Sequence, residues 1–250
     1  MNRLSWLVTT IAIAAALSVA GPPATAQSRS NPAMDQMIQA LGGQAFLDVK
    51  EIHIGGRFFA FTKGDLSGSD IFVDYIKFPD MERTEFGFNR NKSITINRGT
   101  EGWKIEPKEK DPQPIPIKAG EEFLAGFKTS FDYVLRFVVK NPQTTIQNLA
   151  SEIIDFKRTD VVELRDPAKN RIRFFIDRET KLPVKMQVRR SDQPNLNEEQ
   201  YGNWHRFQGV MTPLFMGRYK DGVKIMEIRA ETAAYNSGLS DNLFSPPATK

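Results

Sequence analysis

The chain has 250 residues, of which 40% are apolar, 10% aromatic and 26% charged, with no cysteine. That length supports one sizeable core, and the composition excludes a disordered, collagen-like or disulfide-stapled chain. The formal charge of +4 comes from 34 basic and 30 acidic residues whose signs interleave, as in Asp80-Met81-Glu82-Arg83, so no basic stripe offers itself to a nucleic acid.

At the start of the chain, Arg3 precedes an apolar run from Leu7 to Ala20, then Gly21-Pro22-Pro23 and the small-residue ending Ala24-Thr25-Ala26. This pattern predicts a secretory signal over residues 1–26, cleaved near Ala26, and a single domain over 27–250 in an extracytoplasmic space. The uncharged run is long enough to anchor in a membrane, but the Gly-Pro-Pro break and the Ala-x-Ala ending favour cleavage. Losing Arg3 lowers the net charge to +3, and the absence of cysteine removes the residue that a bacterial lipid anchor needs at a mature N-terminus.

Asn31 then reads as an N-cap with Pro32 at the first helical position; Met34, Met37, Ile38 and Leu41 follow at helical spacing and Gly42-Gly43 ends the helix. A short turn holds Ala45, Phe46 and Leu47. Strands are predicted at 51–62, 70–78, 81–88, 92–98 and 102–106, with turn-like segments at 63–69, 79–80 and 89–91. The proline-rich stretch 107–116 reads as an extended loop. It leads into a helix over about 120–140, with Phe123, Leu124, Phe127, Phe131, Val134, Leu135 and Val138 on one face and Asn141-Pro142 as its stop. Strands resume at 144–149, 152–165, 170–177, 183–190, 200–208, 210–220 and 223–235, and Asp221-Gly222 marks a tight hairpin. Short connections throughout predict an antiparallel meander interrupted once by the helix: a mainly β fold with helices (α+β) of about eleven or twelve strands.

No constellation for catalysis emerges. The only histidines, His53 and His205, fall on separate strands; Glu121-Glu122 suits the positive end of a helix, and Glu198-Glu199 reads as part of a polar loop. No phosphate loop, nucleophile elbow or metal-ligand spacing is present, so no enzyme, cofactor or metal is expected. The aromatic residues are more informative: 18 are Phe against 5 Tyr and 3 Trp. Phenylalanine brings apolar area without a polar group to satisfy. A sheet face rich in such residues under a Phe-rich helix either packs solid or encloses an apolar cavity, and composition alone leaves both open.

The ordered set Ala40-Leu41-Gly42-Gly43, Phe78-Pro79-Asp80-Met81-Glu82-Arg83, Arg98-Gly99-Thr100-Glu101-Gly102-Trp103, Asp177-Arg178-Glu179-Thr180-Lys181-Leu182-Pro183 and the ending Leu239 to Pro247 resembles bacterial outer-membrane lipoprotein-sorting proteins. These are the LolA/LolB-like carriers and the related RseB-type regulators. The resemblance implies an open antiparallel β half-barrel, with an N-terminal helix and the central amphipathic helix as a lid. It also implies a periplasmic, non-enzymatic carrier or binding protein for lipoprotein acyl chains or another lipid, with transient membrane contact and an envelope protein that delivers or receives the cargo. The alternative it offers is a regulatory module that senses lipoproteins and binds a protein partner. On this reading Phe58, Phe86, Phe88, Trp103, Phe127, Phe131, Phe174 and Met186 are the candidate cavity residues. One departure stands out: Phe78 precedes Pro79 where the best-known carrier is expected to have a lid-latching arginine, which puts that latch in doubt.

Overall fold

The computed structural model describes residues 31–107 and 111–247. The predicted signal over 1–26 lies outside the described residues. Helix α1 (Pro32–Leu41) starts where the sequence places it, with Asn31 Oδ1 accepting from the backbone N–H groups of Ala33 and Met34 at 3.2 Å. It buries Met34, Met37, Ile38 and Leu41 and stops at Gly42 and Gly43, whose φ values of 131° and 58° are open to glycine. A single turn, α2 (Gln44–Leu47), buries Phe46.

Among the described residues the strands form one antiparallel sheet of thirteen: β1 (Glu51–Thr62), β2 (Asp65–Lys77), β3 (Met81–Phe86), β4 (Ser93–Arg98), β5 (Glu101–Ile105), β6 (Gln113–Pro114), β7 (Thr145–Ile154), β8 (Lys157–Arg165), β9 (Arg171–Asp177), β10 (Pro183–Arg189), β11 (Leu196–Phe207), β12 (Val210–Lys220) and β13 (Val223–Tyr235). Their spatial order is β6-β5-β4-β3-β2-β1-β13-β12-β11-β10-β9-β8-β7. The two ends of the sheet do not pair with each other, so the trough stays open. This is the expected α+β half-barrel, with one strand more than twelve: Gln113 and Pro114 of the proline-rich loop add a short edge to β5. The Asp221-Gly222 hairpin forms with both residues at positive φ.

Three expectations change. The turn expected near residue 150 lies at Asp155-Phe156, both at positive φ, a place where an aromatic residue gives no turn signal. Ser67, Gly68 and Ser69 continue β2, because the two residues Lys63-Gly64 suffice to reverse the chain. The single helix over 120–140 is two pieces: α3 (Ile117–Phe127), then α4 (Phe131–Tyr133) running on as a π-helical turn (Val134–Val138). The break comes from side-chain competition for the backbone. Thr129 Oγ1 donates back to the carbonyls of Ala125 and Gly126, and Ser130, in extended conformation, caps the next turn by accepting from Tyr133 N–H at 3.4 Å.

The two pieces do different jobs. The second is core: Phe131, Val134, Leu135 and Val138 pack with α1 against Val162, Leu164, Ile172, Phe174, Ile176, Met186 and Val188, filling the trough over β8–β10. α3 buries only Gly120 and Phe127, so it lies across the trough rather than in it. It approaches the β4–β5 turn so closely that a Cβ on Gly120 would stand 1.9 Å from the Thr100 carbonyl oxygen. On the convex side, a 3-10 turn (Asp241–Phe244) covers β3 and β4: Phe244 is fully buried, Arg83 Nη1 donates to the Leu243 carbonyl at 3.2 Å, and Lys77 pairs with Asp241 at 2.7 Å.

Candidate functional site

Over β1–β3 and β11–β13 the trough is not filled. A cavity of about 450 Å³ remains there, floored by Ile54, Phe58, Phe72, Ile76, Met226 and Ile228 and roofed by Phe127 and Phe131. The volume falls in the range of small-molecule sites. A β-bulge is what aligns its floor. Glu231 is skipped in the β1–β13 register, so odd-numbered Tyr235 and even-numbered Ile228 and Met226 face the same side. At the same point a Cβ on Gly56 would lie 2.2 Å from the Arg229 carbonyl oxygen. A second space of about 590 Å³ runs between α3 and β10–β12 and is bounded by Phe123, Met186 and Val188. Both have Glu82, Phe127, Ser130, Glu199 and Arg218 in their walls.

The wall of the first cavity carries a charged cluster in apolar surroundings. Asp74 on β2 accepts from Thr84 Oγ1 on β3 at 2.9 Å, its cross-strand neighbour in register. Burial pushes the Asp74 carboxyl up to about 6. Glu82, two residues from Thr84 along β3, is driven well above the carboxylate range by burial and then by the Asp74 charge and the hydrogen bond to it. Glu82 therefore keeps the proton and donates it to Asp74. Across the chamber, Arg218 Nε and Nη2 both donate to Glu199 Oε1, at 2.9 and 2.7 Å, and Tyr201 OH donates to Glu199 Oε2 at 2.7 Å. Burial, followed by the Glu199 charge, holds the Tyr201 phenol well above its ordinary value. At the helical roof Asp132 pairs with Arg136.

The sequence candidates distribute unevenly. Phe58, Phe86, Phe127 and Phe131 stand in the wall of the first cavity, with the Phe58 and Phe86 rings 4.9 Å apart; Phe127 and Met186 stand in the wall of the second. Phe174 is fully buried in the packed half, its ring 6.2 Å from Phe131. Like Phe174, two further candidates do not reach the chamber. The chain turns out of the sheet at Gly87, with φ 89°, and leaves Phe88 65% exposed. Trp103 pairs in register with Ile96 and so shares the convex face with it, opposite Asn97.

Glu198 and Glu199 lie on β11 rather than in a loop, and Glu199 belongs to the charged cluster, as do Asp74, Glu82 and Arg218, which sequence reasoning did not single out. A signal for them exists. Asp74 falls between Phe72 and Ile76 in the same strand phase, and Glu82 shares its phase with Phe86, so each charge is aimed at the face its neighbours bury. The histidines are elsewhere: His53 stacks on Tyr75 with ring centroids 4.6 Å apart, and His205 is exposed beside Asn203. Among the described residues no group of three or more His, Asp or Glu is placed to hold a metal.

Phe78, preceding the cis peptide to Pro79, turns out to be a fastening point of a different kind. Its ring meets Phe127 at 5.8 Å and Phe137 at 5.7 Å, and the Arg136 guanidinium lies 5.2 Å from it and 4.0 Å from Phe46. The arginine comes from the helical segment and the aromatic ring from the sheet corner.

No family model and no curated protein matches this chain. Solved structures do. A DUF1329 family protein from Desulfovibrio piger superposes with a TM-score of 0.60 at 14% identity, covering 87% of this chain and 98% of that one. A domain assigned to outer-membrane lipoprotein sorting from Vibrio parahaemolyticus gives 0.55 at 12% identity, over 84% and 95%. A LolA superfamily protein from Nitrosomonas europaea gives 0.50 at 14% identity, over 83% and 96%. Identities this low speak for architecture alone, and on that level the open thirteen-stranded sheet with helices in its trough is the LolA-like fold.

Proposed function

We propose that this chain is a non-enzymatic periplasmic protein that binds and carries lipoprotein acyl chains or another lipid, as one domain spanning 27–250 after removal of the signal. The observation that carries the reading is the unfilled, Phe- and Ile-lined cavity between the sheet and the helical segment. Each methylene moved from water into such a space contributes about 0.8 kcal/mol, so a saturated chain binds without any directional bond. The lining supports binding rather than catalysis: neither histidine is in it, and the Ser130 hydroxyl serves as a helix cap. Release fits α3, which commits only two residues to the interior and rests on the sheet edge at Gly120. Similarity of fold to a lipoprotein-sorting domain agrees with this role, and an envelope partner and brief membrane contact would complete it.

The experiment is to fill the cavity. Thr95 and Ile228 are half-buried cavity residues on different strands, and a Thr95→Phe/Ile228→Phe variant places two rings in the void. Displacement of an apolar fluorophore by a long-chain alcohol should weaken at least about tenfold in the variant while its unfolding midpoint stays near that of the parent protein. Unchanged binding in a folded variant would put the ligand elsewhere.

A further inference from the structure

The chamber differs from a plain apolar pocket in the balance of its charges. Five charged side chains are in the wall of the first cavity: Asp74, Glu82, Asp132, Glu199 and Arg218. Two of the acids are answered. Glu199 takes both donors of Arg218, and Asp132 is paired with the buried Arg136. That leaves the Asp74–Glu82 pair, which shares a proton and has no cation of its own among the described residues; Arg218 acts on both only through space, across the chamber. One negative charge therefore stays inside a low-dielectric space.

We propose that the cavity selects amphipaths whose polar end is an N–H-donating cation, an aliphatic amine or ammonium, seated on the Asp74–Glu82 carboxyl pair while the alkyl chain lies along Phe58, Phe72, Phe86 and Ile228. This deepens the lipid-binding reading and rests on it. An ammonium brings three donors and a full charge to two carboxyl groups that the fold otherwise supplies with the Thr84 hydroxyl and one shared proton. The cation answers the single charge that the pair carries, and the proton stays between the two carboxyl groups, so the filled site is neutral. An anionic head meets the opposite situation, because Arg218 is already committed to Glu199. An inorganic cation is the poorer fit: a third ligating carboxylate or histidine is missing among the described residues, and the surrounding walls favour an organic tail.

The test uses three probes with the same saturated dodecyl chain, below their micellar concentrations and near neutral pH: dodecylamine, dodecanol and dodecyl sulfate, titrated into the full chain and into an Asp74→Asn/Glu82→Gln variant. The amine should bind the parent protein at least about tenfold more tightly than the alcohol, and the sulfate more weakly than either, as expected for a charge-assisted contact. In the variant, which keeps shape and removes only charge, the amine and the alcohol should come within about twofold of each other while alcohol affinity is retained. Thermal unfolding of the variant confirms that it is folded. If the alcohol binds and the amine is no better, or the sulfate is tightest, the headgroup inference is overturned and the lipid-binding reading stands. If no probe binds, the lipid-binding reading itself fails.

Discussion

Replacing Arg136 by alanine is expected to lower the unfolding free energy by about 3 kcal/mol, a large share of what a domain of this size has. The side chain is 2% exposed. Its Nε donates to the Phe46 carbonyl at 3.1 Å and its Nη1 to the Asp132 carbonyl at 3.0 Å, with Asp132 as the ion-pair partner. Truncation leaves the Phe46 carbonyl only the longer bond from Val49 N–H at 3.4 Å, deletes the contacts over Phe46 and Phe78, and opens a void between them. Two facts keep the loss below that of a fully buried pair. Asp132 is one-third exposed and can turn to water, and the Arg136 Nη2 donor has no partner among the described residues even in the folded state. Arg136→Met, which keeps most of the volume, should lose about half as much. Denaturant unfolding of the two variants checks this; a loss under about 0.5 kcal/mol for alanine would mean that the side chain is not fixed as seen. Because Arg136 touches α2, the helical segment and the β2–β3 corner, the same variants should release a bound chain faster.

The second expectation concerns acid–base balance. Asp74 has its carboxyl raised from 3.8 to about 6, chiefly by burial. Between those values the folded protein keeps a proton that the unfolded chain gives up, so raising the pH through this window favours unfolding. Asp74→Asn removes that contribution. The variant should match the parent protein near the lower end of the window and exceed it by about 2 kcal/mol once the pH is above the upper end. Glu51, Glu85, Glu163, Asp177 and Glu227 work in the opposite sense: burial opposes their ionisation, but hydrogen bonds and neighbouring cations outweigh it and hold them low. They contribute stability above their unfolded values that is lost as pH falls through the folded ones. Since they are common to both proteins, the difference between variant and parent isolates the Asp74–Glu82 pair. A variant that is no more stable, or less stable, at neutral pH would show that the carboxyl is not desolvated.

Much of this architecture is legible in the residues because local and global preferences agree. Asn31-Pro32 and Gly42-Gly43 bracket α1 as capping chemistry requires, and Asp221-Gly222 closes the β12–β13 hairpin. The misreadings share a cause: periodicity counts side chains without seeing what their polar atoms do. The apolar stripe from Phe123 to Val138 is continuous, yet the hydroxyls of Thr129 and Ser130 divide the helix beneath it, separating the piece that covers the trough from the piece that fills it. Strand alternation puts Phe88 and Trp103 among the cavity residues, but the turn at Gly87 and the pairing of Trp103 with Ile96 set them aside. The charged cluster is the reverse case. Asp74 and Glu82 are in phase with buried apolar residues on adjacent strands, and only the register that sets Asp74 beside Thr84, two pairs from Glu82, shows that two such faults coincide.

The central claim is that the cavity exists to hold an alkyl chain, and calorimetric titration with a homologous series of saturated alcohols tests it most directly. Affinity should rise by about 0.8 kcal/mol per added methylene until the cavity is full and then level off, with a negative heat-capacity change on binding. Affinity that does not depend on chain length, or no heat of binding for any member of the series, would contradict it.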